Sequence, residues 1–311
     1  MDILTRMMAE LPFGSGEMLS LIASAPRRYK VYQIPKRAPG KFRTIAHPSR
    51  ELKFVQRWLV KRVLTGLPVH PAATAYRTGT SILDNAQRHV AQQYLLKMDI
   101  KDFFPSIKPR DFLKHCEQYL PNLSQSDQRA LTQILFRRNK QTDLLELAIG
   151  APSSPLISNS VFYPLDEEIA AYCNEHAIAY TRYADDLTFS TNHPHILTKI
   201  PTFVTEILAK ANYPNLTVNL EKTVHSSKKH HRQVTGLVLT SDQKVSIGRE
   251  KKRILKALIH RYTLGQLTSE DISNLRGQLS FVHSVEPTFL TTLENKYGVA
   301  KMSALIGYAS R

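Results

Sequence analysis

The strongest constraint on this chain is the order of apolar runs between residues 94 and 239. Residues 94–100 (YLLKMDI) read as a short buried strand that ends on an acid, Asp99. Ser124 and Asp127 form a capping box that opens a helix ending in the basic run Arg137-Arg138-Asn139-Lys140. A Pro/Ser-rich loop then leads to a helix over about 161–176, and residues 178–190 (IAYTRYADDLTFS) read as two strands around a tight turn. A helix over 196–211 precedes strands at 216–224 and 233–239. Strand–helix–strand–strand–helix–strand is the split β-α-β order of a ferredoxin-like sheet. In that sheet the first strand and the central hairpin are neighbours, so Asp99 and the Asp185-Asp186 pair in the hairpin turn converge at one edge.

The flanks are helical. Residues 51–67 place Leu52, Val55, Leu59 and Val63 at helical spacing, with Gly66 as a stop. After about residue 245 the pattern is entirely helical, in EKKRILKALIHRY, then SEDISNLRGQLSFVHSV, then a last short helix. The expected fold class is α+β.

Composition narrows the function. The 311 residues carry 42 Lys+Arg against 26 Asp+Glu, a formal net charge of +16. Phosphate backbones reward clustered cations through counterion release, which makes nucleic acid the first expected partner. An anionic membrane surface is the rival, and a merely solvated basic surface the bland alternative. With 42% hydrophobic residues, and 12 Gly and 17 Pro scattered along the chain, disorder and collagen-like repeats are excluded. Cys116 and Cys173 make no disulfide framework or paired metal spacing, so a reducing, cytoplasmic setting is expected. The opening MDILTRMMAELPFG lacks a basic segment followed by an apolar core, so no secretory signal is expected. No run of about 18 apolar residues is present, so no membrane span is expected.

An Asp-Asp pair in a turn is ordinary turn chemistry when it stands alone. Its neighbours point elsewhere. Phosphoryl transfer passes through a transition state dense in negative charge, which bare carboxylates would repel. Three converging carboxylates become useful by holding two Mg²⁺ ions about 3.5–4 Å apart, which clamp the attacking and leaving oxygens.

Tyr183-Ala184-Asp185-Asp186 resembles the YxDD box of reverse transcriptases, and M-D-I-K-D-F-F-P-S-I around Asp99 resembles their first metal-binding motif. Gly150-Ala151-Pro152-Ser153-Ser154-Pro155 is similar to their substrate-binding loop. Asn85-Ala86-Gln87-Arg88-His89 fits the NAxxH motif of bacterial retron reverse transcriptases, and Val234-Thr235-Gly236 fits their VTG motif. VTG alone is weak, but five motifs in order are strong. Gly248-Arg249-Glu250-Lys251, Arg276-Gly277 and Glu294-Asn295-Lys296-Tyr297-Gly298 extend the likeness over nearly the whole chain.

The resemblance implies a right-hand polymerase: an N-terminal segment and fingers over 1–93, a palm over 94–240 with a fingers insertion at about 108–148, and a helical thumb over 241–311. Asp99, Asp185 and Asp186 would be catalytic, and these three with Ile100 would form the metal site for two Mg²⁺, Mn²⁺ being able to substitute. Phe104 would block a ribose 2′-OH, its alternative being a core ring of the Phe103-Phe104 pair. Asp102, Phe103, Phe104 and Gly150 would contact the nucleotide, and Lys41 and Arg43 would grip its triphosphate. One residue apart on an extended strand, those two cations face the same side. Lys222 would protonate the departing pyrophosphate. The family's substrate loop usually carries Gln before its glycine, where this chain has Ile149, which cannot donate a hydrogen bond.

Asn85, His89, Val234, Thr235, Gly236, Arg249, Lys252, Arg253 and Arg276 would engage the enzyme's own RNA. Asn85 and His89 share a helix face and would otherwise be packing or capping residues. Lys228-Lys229-His230-His231-Arg232 reads as a second basic patch without zinc-ligand spacing. Trp58 is expected in the core.

By the same resemblance, the enzyme would start DNA synthesis on a guanosine 2′-OH of a cognate noncoding RNA (msr-msd), using dNTPs. Its branched, RNA-linked DNA product (msDNA) would serve in antiphage defence with an effector protein of the same locus, after a host ribonuclease H trims the template. The rivals are another bacterial reverse transcriptase (group II intron-like, diversity-generating or CRISPR-associated) and a non-catalytic nucleic-acid-binding scaffold with a polymerase fold.

Overall fold

The computed structural model describes residues 3–35 and 40–307. Its strands are β1 (Tyr29–Pro35), β2 (Phe42–Pro48), β3 (Tyr94–Asp99), β4 (Phe136–Arg138), β5 (Leu145–Leu147), β6 (Ala179–Tyr183), β7 (Asp186–Thr191), β8 (Val224–Ser227), β9 (Arg232–Val234), β10 (Leu237–Leu239) and β11 (Val245–Ser246). The four-stranded sheet has the order β6-β7-β3-β8. Numbered by appearance within the motif, that is second, third, first, fourth: the ferredoxin-like order that the sequence pattern predicts. β3 and β7 therefore lie side by side.

By compactness the chain divides into two units, Met1–Thr80, Leu96–Phe189 and Pro194–Val224 forming one, and Ser81–Leu95, Ser190–His193 and His225–Arg311 the other. In the first unit the helix Arg50–Arg62 begins at Ser49, whose hydroxyl accepts from the Leu52 amide, and buries Leu52, Val55 and Leu59 as its spacing predicts. β1 and β2 pair antiparallel, with Ile34 opposite Arg43. Trp58 is not enclosed in the core: its indole N–H donates to Glu10 Oε2 at 3.0 Å on the exterior.

Three expectations for this unit need correction. The helix opened by Ser124 ends at Leu135, and the basic run does not belong to it. Phe136 turns extended and fully buried, so Arg137 and Arg138 lie on β4, where Arg137 is paired with Glu146 of β5. The Pro/Ser-rich loop is itself largely helical, as Ser154–Val161, because Pro155 occupies the first turn, where its missing N–H does no harm. The segment 216–224 is not a strand. Val218 makes one isolated bridge to Ile100, a 3-10 turn follows at Leu220–Lys222, and regular pairing resumes only in β8.

The second unit has its own core. Val234, Leu237 and Leu239 of β9 and β10 pack with Ala86, Leu255, Ile259, Leu275, Leu279, Leu293 and Leu305. Four helices supply most of it: Arg249–Thr263, Ser269–Val285, Pro287–Tyr297 and Val299–Ile306. Thr268 and Asp271 cap the second of them reciprocally. Among the described residues no helix is long and apolar enough to cross a membrane.

Candidate active site

β3 delivers Asp99 to the sheet edge because Leu95, Leu96 and Met98 bury the strand beneath it. Just beyond, the backbone joins the neighbouring hairpin: the Ile100 amide donates to the Asp185 carbonyl at 2.9 Å. Asp185 stands with Ala184 in the two-residue turn between β6 and β7, and Ala184 takes a left-handed φ of 56°. On the other side, the Asn219 amide donates to the Asp99 carbonyl at 2.7 Å and the Lys101 amide to the Thr217 carbonyl at 2.9 Å. The 3-10 turn that follows carries Lys222 back over the edge. Its Nζ lies 2.8 and 2.9 Å from the two Asp99 carboxylate oxygens, and Asn219 Nδ2 donates to one of them at 3.2 Å.

The carboxylates feel one another. Burial raises the Asp185 carboxyl above its usual range and the charge of Asp99 adds to this, against the lowering influence of Arg43 and Lys222. Asp186 is pushed up to about 6, first by desolvation and then by Asp185 and Asp99. Burial alone would lower the Lys222 ammonium, but its hydrogen bond and charge contact with Asp99, backed by Asp185 and Asp186, raise it instead.

Mutually repelling, partly desolvated carboxylates are the hard oxygen donors that a divalent cation relieves. By donor chemistry they fit such an ion. Among the described residues no three His, Cys, Asp or Glu side chains are already gathered at ligand distance, and the Asp99 carboxylate faces Lys222. Ile100 contributes its backbone to this edge, its side chain being buried.

Behind the turn lies a cluster that the sequence reading missed. Arg182 is wholly buried and forms a bidentate pair with buried Asp166, Nη2 to Oδ2 at 2.6 Å and Nε to Oδ1 at 2.9 Å. Its Nη1 donates to Asn159 Oδ1 and to the Ala184 carbonyl, each at 3.1 Å. Tyr180 donates to Asp166 Oδ1 at 2.7 Å, and the guanidinium lies 4.4 Å over the Phe162 ring. Arg182 thus holds the carbonyl of the strained residue between Tyr183 and Asp185. Asp166 lies 16 residues from Arg182, and no local signal joins them.

Of the residues expected to contact the nucleotide, Asp102, Phe103 and Phe104 follow this edge directly in the chain, and the charge of Arg43 reaches Asp185. Asp102 adopts φ 46° and opens the short helix Phe103–Ser106, whose terminal Ser106 amide donates to the Asp102 carbonyl at 2.9 Å. Phe103 is core, edge-on to Phe162 at 5.9 Å, while Phe104 is half-buried, edge-on to Phe103 at 5.4 Å and to Tyr76 at 6.3 Å. Arg43 is exposed on β2, and exposed Lys41 lies just before that strand rather than on it.

Gly150 has φ +113° and packs on β2, where a Cβ would come within 2.8 Å of His47 Cδ2 and 3.2 Å of the Ala46 carbonyl. The Ala46 amide donates to the Ile149 carbonyl at 2.8 Å, so this loop is docked on the β1–β2 hairpin through its backbone.

Several residues expected to face RNA do not. Asn85, His89 and Val234 are buried in the second unit. His89 Nδ1 lies 2.7 Å from Ser190 Oγ, and burial, with the charge of Arg88, lowers the imidazole to about 3. The Asn85 side-chain amide, Nδ2 and Oδ1, has no hydrogen-bond partner among the described residues. The strand expected over 233–239 is instead a hairpin: Thr235 (φ 47°) and Gly236 (φ 82°) form the turn joining β9 to β10, so the VTG glycine answers a backbone need.

Lys252 is paired with Glu286 and lies 5.1 Å over the Phe289 ring. Arg276 Nε donates to the Leu305 carbonyl at 2.7 Å. Arg232 of the expected basic patch is buried and bonds the carbonyls of Gln92 and Thr240. Arg249 and Arg253 are exposed.

Comparison with known proteins agrees with this geometry. Residues 34–239 match the family model described as reverse transcriptase (RNA-dependent DNA polymerase). The chain is 41% identical to the Retron Ec83 reverse transcriptase of Escherichia coli, over 93% of each chain. It is 37% identical to the Retron Ec86 reverse transcriptase of the same organism, over 89% of this chain and 85% of that one. Among solved structures, a telomerase from Candida albicans in complex with a fragment of telomeric RNA aligns with TM-score 0.51 at 13% identity, over 95% of this chain and 60% of that one, a likeness of fold. Reverse transcriptases generally use divalent metal ions, in keeping with the acidic edge. With the right-hand polymerase fold and the family match in agreement, the chain belongs to the retron reverse transcriptases and is an RNA-directed DNA polymerase.

Proposed function

We propose that this enzyme copies part of a cognate structured noncoding RNA into single-stranded DNA that stays joined to the RNA through a guanosine 2′-oxygen, and that this msDNA serves in antiphage defence with an effector protein of the same locus. The observation that carries the chemistry is the sheet edge where Asp99, Asp185 and Asp186 stand together with Lys222 on Asp99. Asp99 and Asp185, with Asp186 and the Ile100 backbone, would hold two Mg²⁺ ions (or Mn²⁺), which would supply activation of the attacking hydroxyl and neutralisation of the leaving pyrophosphate.

The chain's own residues do the rest. Lys41 and Arg43 grip the triphosphate, the Gly150 loop approaches the nucleotide by backbone, and Asp102 and Phe103 set the turn that presents Phe104 against a 2′-OH. Lys222 carries the proton to the departing pyrophosphate; its raised affinity for a proton keeps it charged until transfer. Exposed Arg249 and Arg253 take RNA phosphates. Buried Asn85, His89 and Val234 act on RNA through the surface they support, while half-buried Thr235, Gly236 and Lys252 and exposed Arg276 meet RNA at that surface. Fingers, palm and thumb follow the division 1–93, 94–240 and 241–311. The setting is the cytoplasm, with a host ribonuclease H trimming the template.

The test is to purify the protein with its native locus, sequence the bound nucleic acid after ribonuclease and debranching treatment, and repeat with Asp185→Ala/Asp186→Ala. A small single-stranded DNA on 2′-linked RNA, absent from the variant, is expected. RNA alone in both preparations would refute the proposal.

A further inference from the structure

Tyr76 lies outside the motifs quoted above, yet the molecule goes to some length to present it. Ala72, Ala73, Thr74 and Ala75 are buried, and the chain then emerges at Tyr76, 55% exposed and at φ 62°, a left-handed backbone that an aromatic residue rarely adopts. The segment is tied down on both sides of it. The Arg182 amide donates to the Ala72 carbonyl at 2.7 Å, and the Thr74 amide returns to the Arg182 carbonyl at 2.8 Å. Asn159 Nδ2 donates to the Ala75 carbonyl at 2.8 Å, and the Thr80 hydroxyl to the Thr74 carbonyl at 3.0 Å. Arg77 Nη1 gathers the carbonyls of His70, Pro71 and Ala73, each at 3.4 Å. A strained residue held this firmly in place marks a position under functional constraint.

What the strain positions is a ring. Tyr76 lies edge-on to Phe104, with centroids 6.3 Å apart and planes at 69°, and 6.4 Å from Tyr183 of the YADD turn. Phe103 abuts Phe104 from elsewhere, edge-on at 5.4 Å. The Tyr76 hydroxyl has no protein hydrogen bond among the described residues, so the contact with Phe104 is made by the ring.

The geometry points to Tyr76 as a specificity-positioning residue: its ring fills the space between Phe104 and Tyr183 and stops Phe104 from swinging away when a ribonucleotide enters. The inference rests on the reading of Phe104 as the 2′-OH gate. Phe104 meets the sugar; Tyr76 acts through Phe104.

The experiment compares kcat/KM for dGTP and GTP on a primed RNA template, for the parent, Tyr76→Ala, Tyr76→Phe, Phe104→Ala and the Tyr76→Ala/Phe104→Ala pair. Losing one edge-on aromatic contact should lower the deoxy-to-ribo preference of Tyr76→Ala by about two- to tenfold, through a lower KM for GTP. Tyr76→Phe keeps the ring and should keep the parental preference, and the double variant should match Phe104→Ala. If Phe104→Ala relaxes the preference but Tyr76→Ala does not, or if the two effects multiply, the buttress is refuted and the gate stands. An unchanged preference in Phe104→Ala refutes the gate and the buttress with it.

Discussion

Replacing Arg182 with alanine should destabilise the protein by about 4 kcal/mol, for reasons that can be followed atom by atom. Neither Arg182 nor Asp166 exposes any side-chain surface, so truncation strands a carboxylate in the interior. Breaking a buried ion pair from one side typically costs roughly 3–5 kcal/mol, because the charge left behind is uncompensated. The Asn159 Oδ1 and Ala184 carbonyl acceptors also lose a donor each, which only adds to the loss.

Urea denaturation followed by the fluorescence of Trp58, the chain's single tryptophan and part of the same compact unit, reads the change. Replacing the pair by apolar side chains, Arg182→Met with Asp166→Leu, should recover most of the stability because no charge is left behind. It should not recover the rate of incorporation, since nothing then holds the Ala184 carbonyl. A loss below about 1 kcal/mol in Arg182→Ala would refute the account, as would full activity in the apolar pair.

Three more perturbations have outcomes fixed by the same geometry. Ile149→Gln should change nucleotide KM or error rate, because it adds a donor beside a loop already docked by its backbone; steady-state kinetics and product sequencing identical to the parent would dismiss that role. Gly150→Ala sets a Cβ 2.8 Å from His47 at a backbone φ of +113° and should cost about 1–3 kcal/mol; an unshifted melting temperature would contradict the docking. Acidification should weaken the fold through its buried histidines. Burial lowers His115 to about 4, and burial with Arg88 lowers His89 to about 3, while both take up protons near pH 6.5 in the unfolded chain. Stability from this source is therefore complete above about pH 7 and falls as pH drops below 6.5, by about 2 kcal/mol per histidine at pH 5. The gap between denaturation midpoints at pH 7.5 and 5 should narrow in His115→Gln, and an undiminished difference would assign the acid sensitivity to other groups.

The legible parts of the fold were those whose signal is local. β3 and the β6–β7 hairpin are short apolar runs ended by acids, and a pleated strand with both faces covered has little other way to satisfy them. The segment 216–224 misled because Leu216 and Val218 alternate like a strand and both are buried. What ends the pairing is Asn219, which spends its backbone amide and its side-chain amide on Asp99 and so bends the chain into the turn that brings Lys222 home. The break in the strand is part of the site.

The carboxylates of the sheet edge are legible in the sequence because their motif carries a chemical requirement. Their supports are not. Arg182 with Asp166, or Tyr76 with Phe104, are pairings made only by the folded chain, and nothing in the types or spacing of those residues announces them.

The retron motifs show a different limit. NAxxH is visible as a pattern, but a polar residue on a helix face reads the same whether it meets RNA or the interior. His89 meets Ser190, 101 residues away, and a partner so distant leaves no local trace. The VTG triplet likewise resolves into a buried Val234 and a turn whose Thr235 and Gly236 both take left-handed backbone angles. Any effect of buried Asn85, His89 or Val234 on RNA choice must then pass through the shape of the surface they support. Conservative changes inside them should therefore alter RNA binding only to the extent that they alter stability, whereas charge reversal at Arg249 or Arg253 should weaken RNA binding and flatten its salt dependence while leaving the melting temperature in place. Binding isotherms at several salt concentrations, read beside melting curves, separate the two. RNA affinity lost in His89→Gln with stability intact would return that histidine to the RNA.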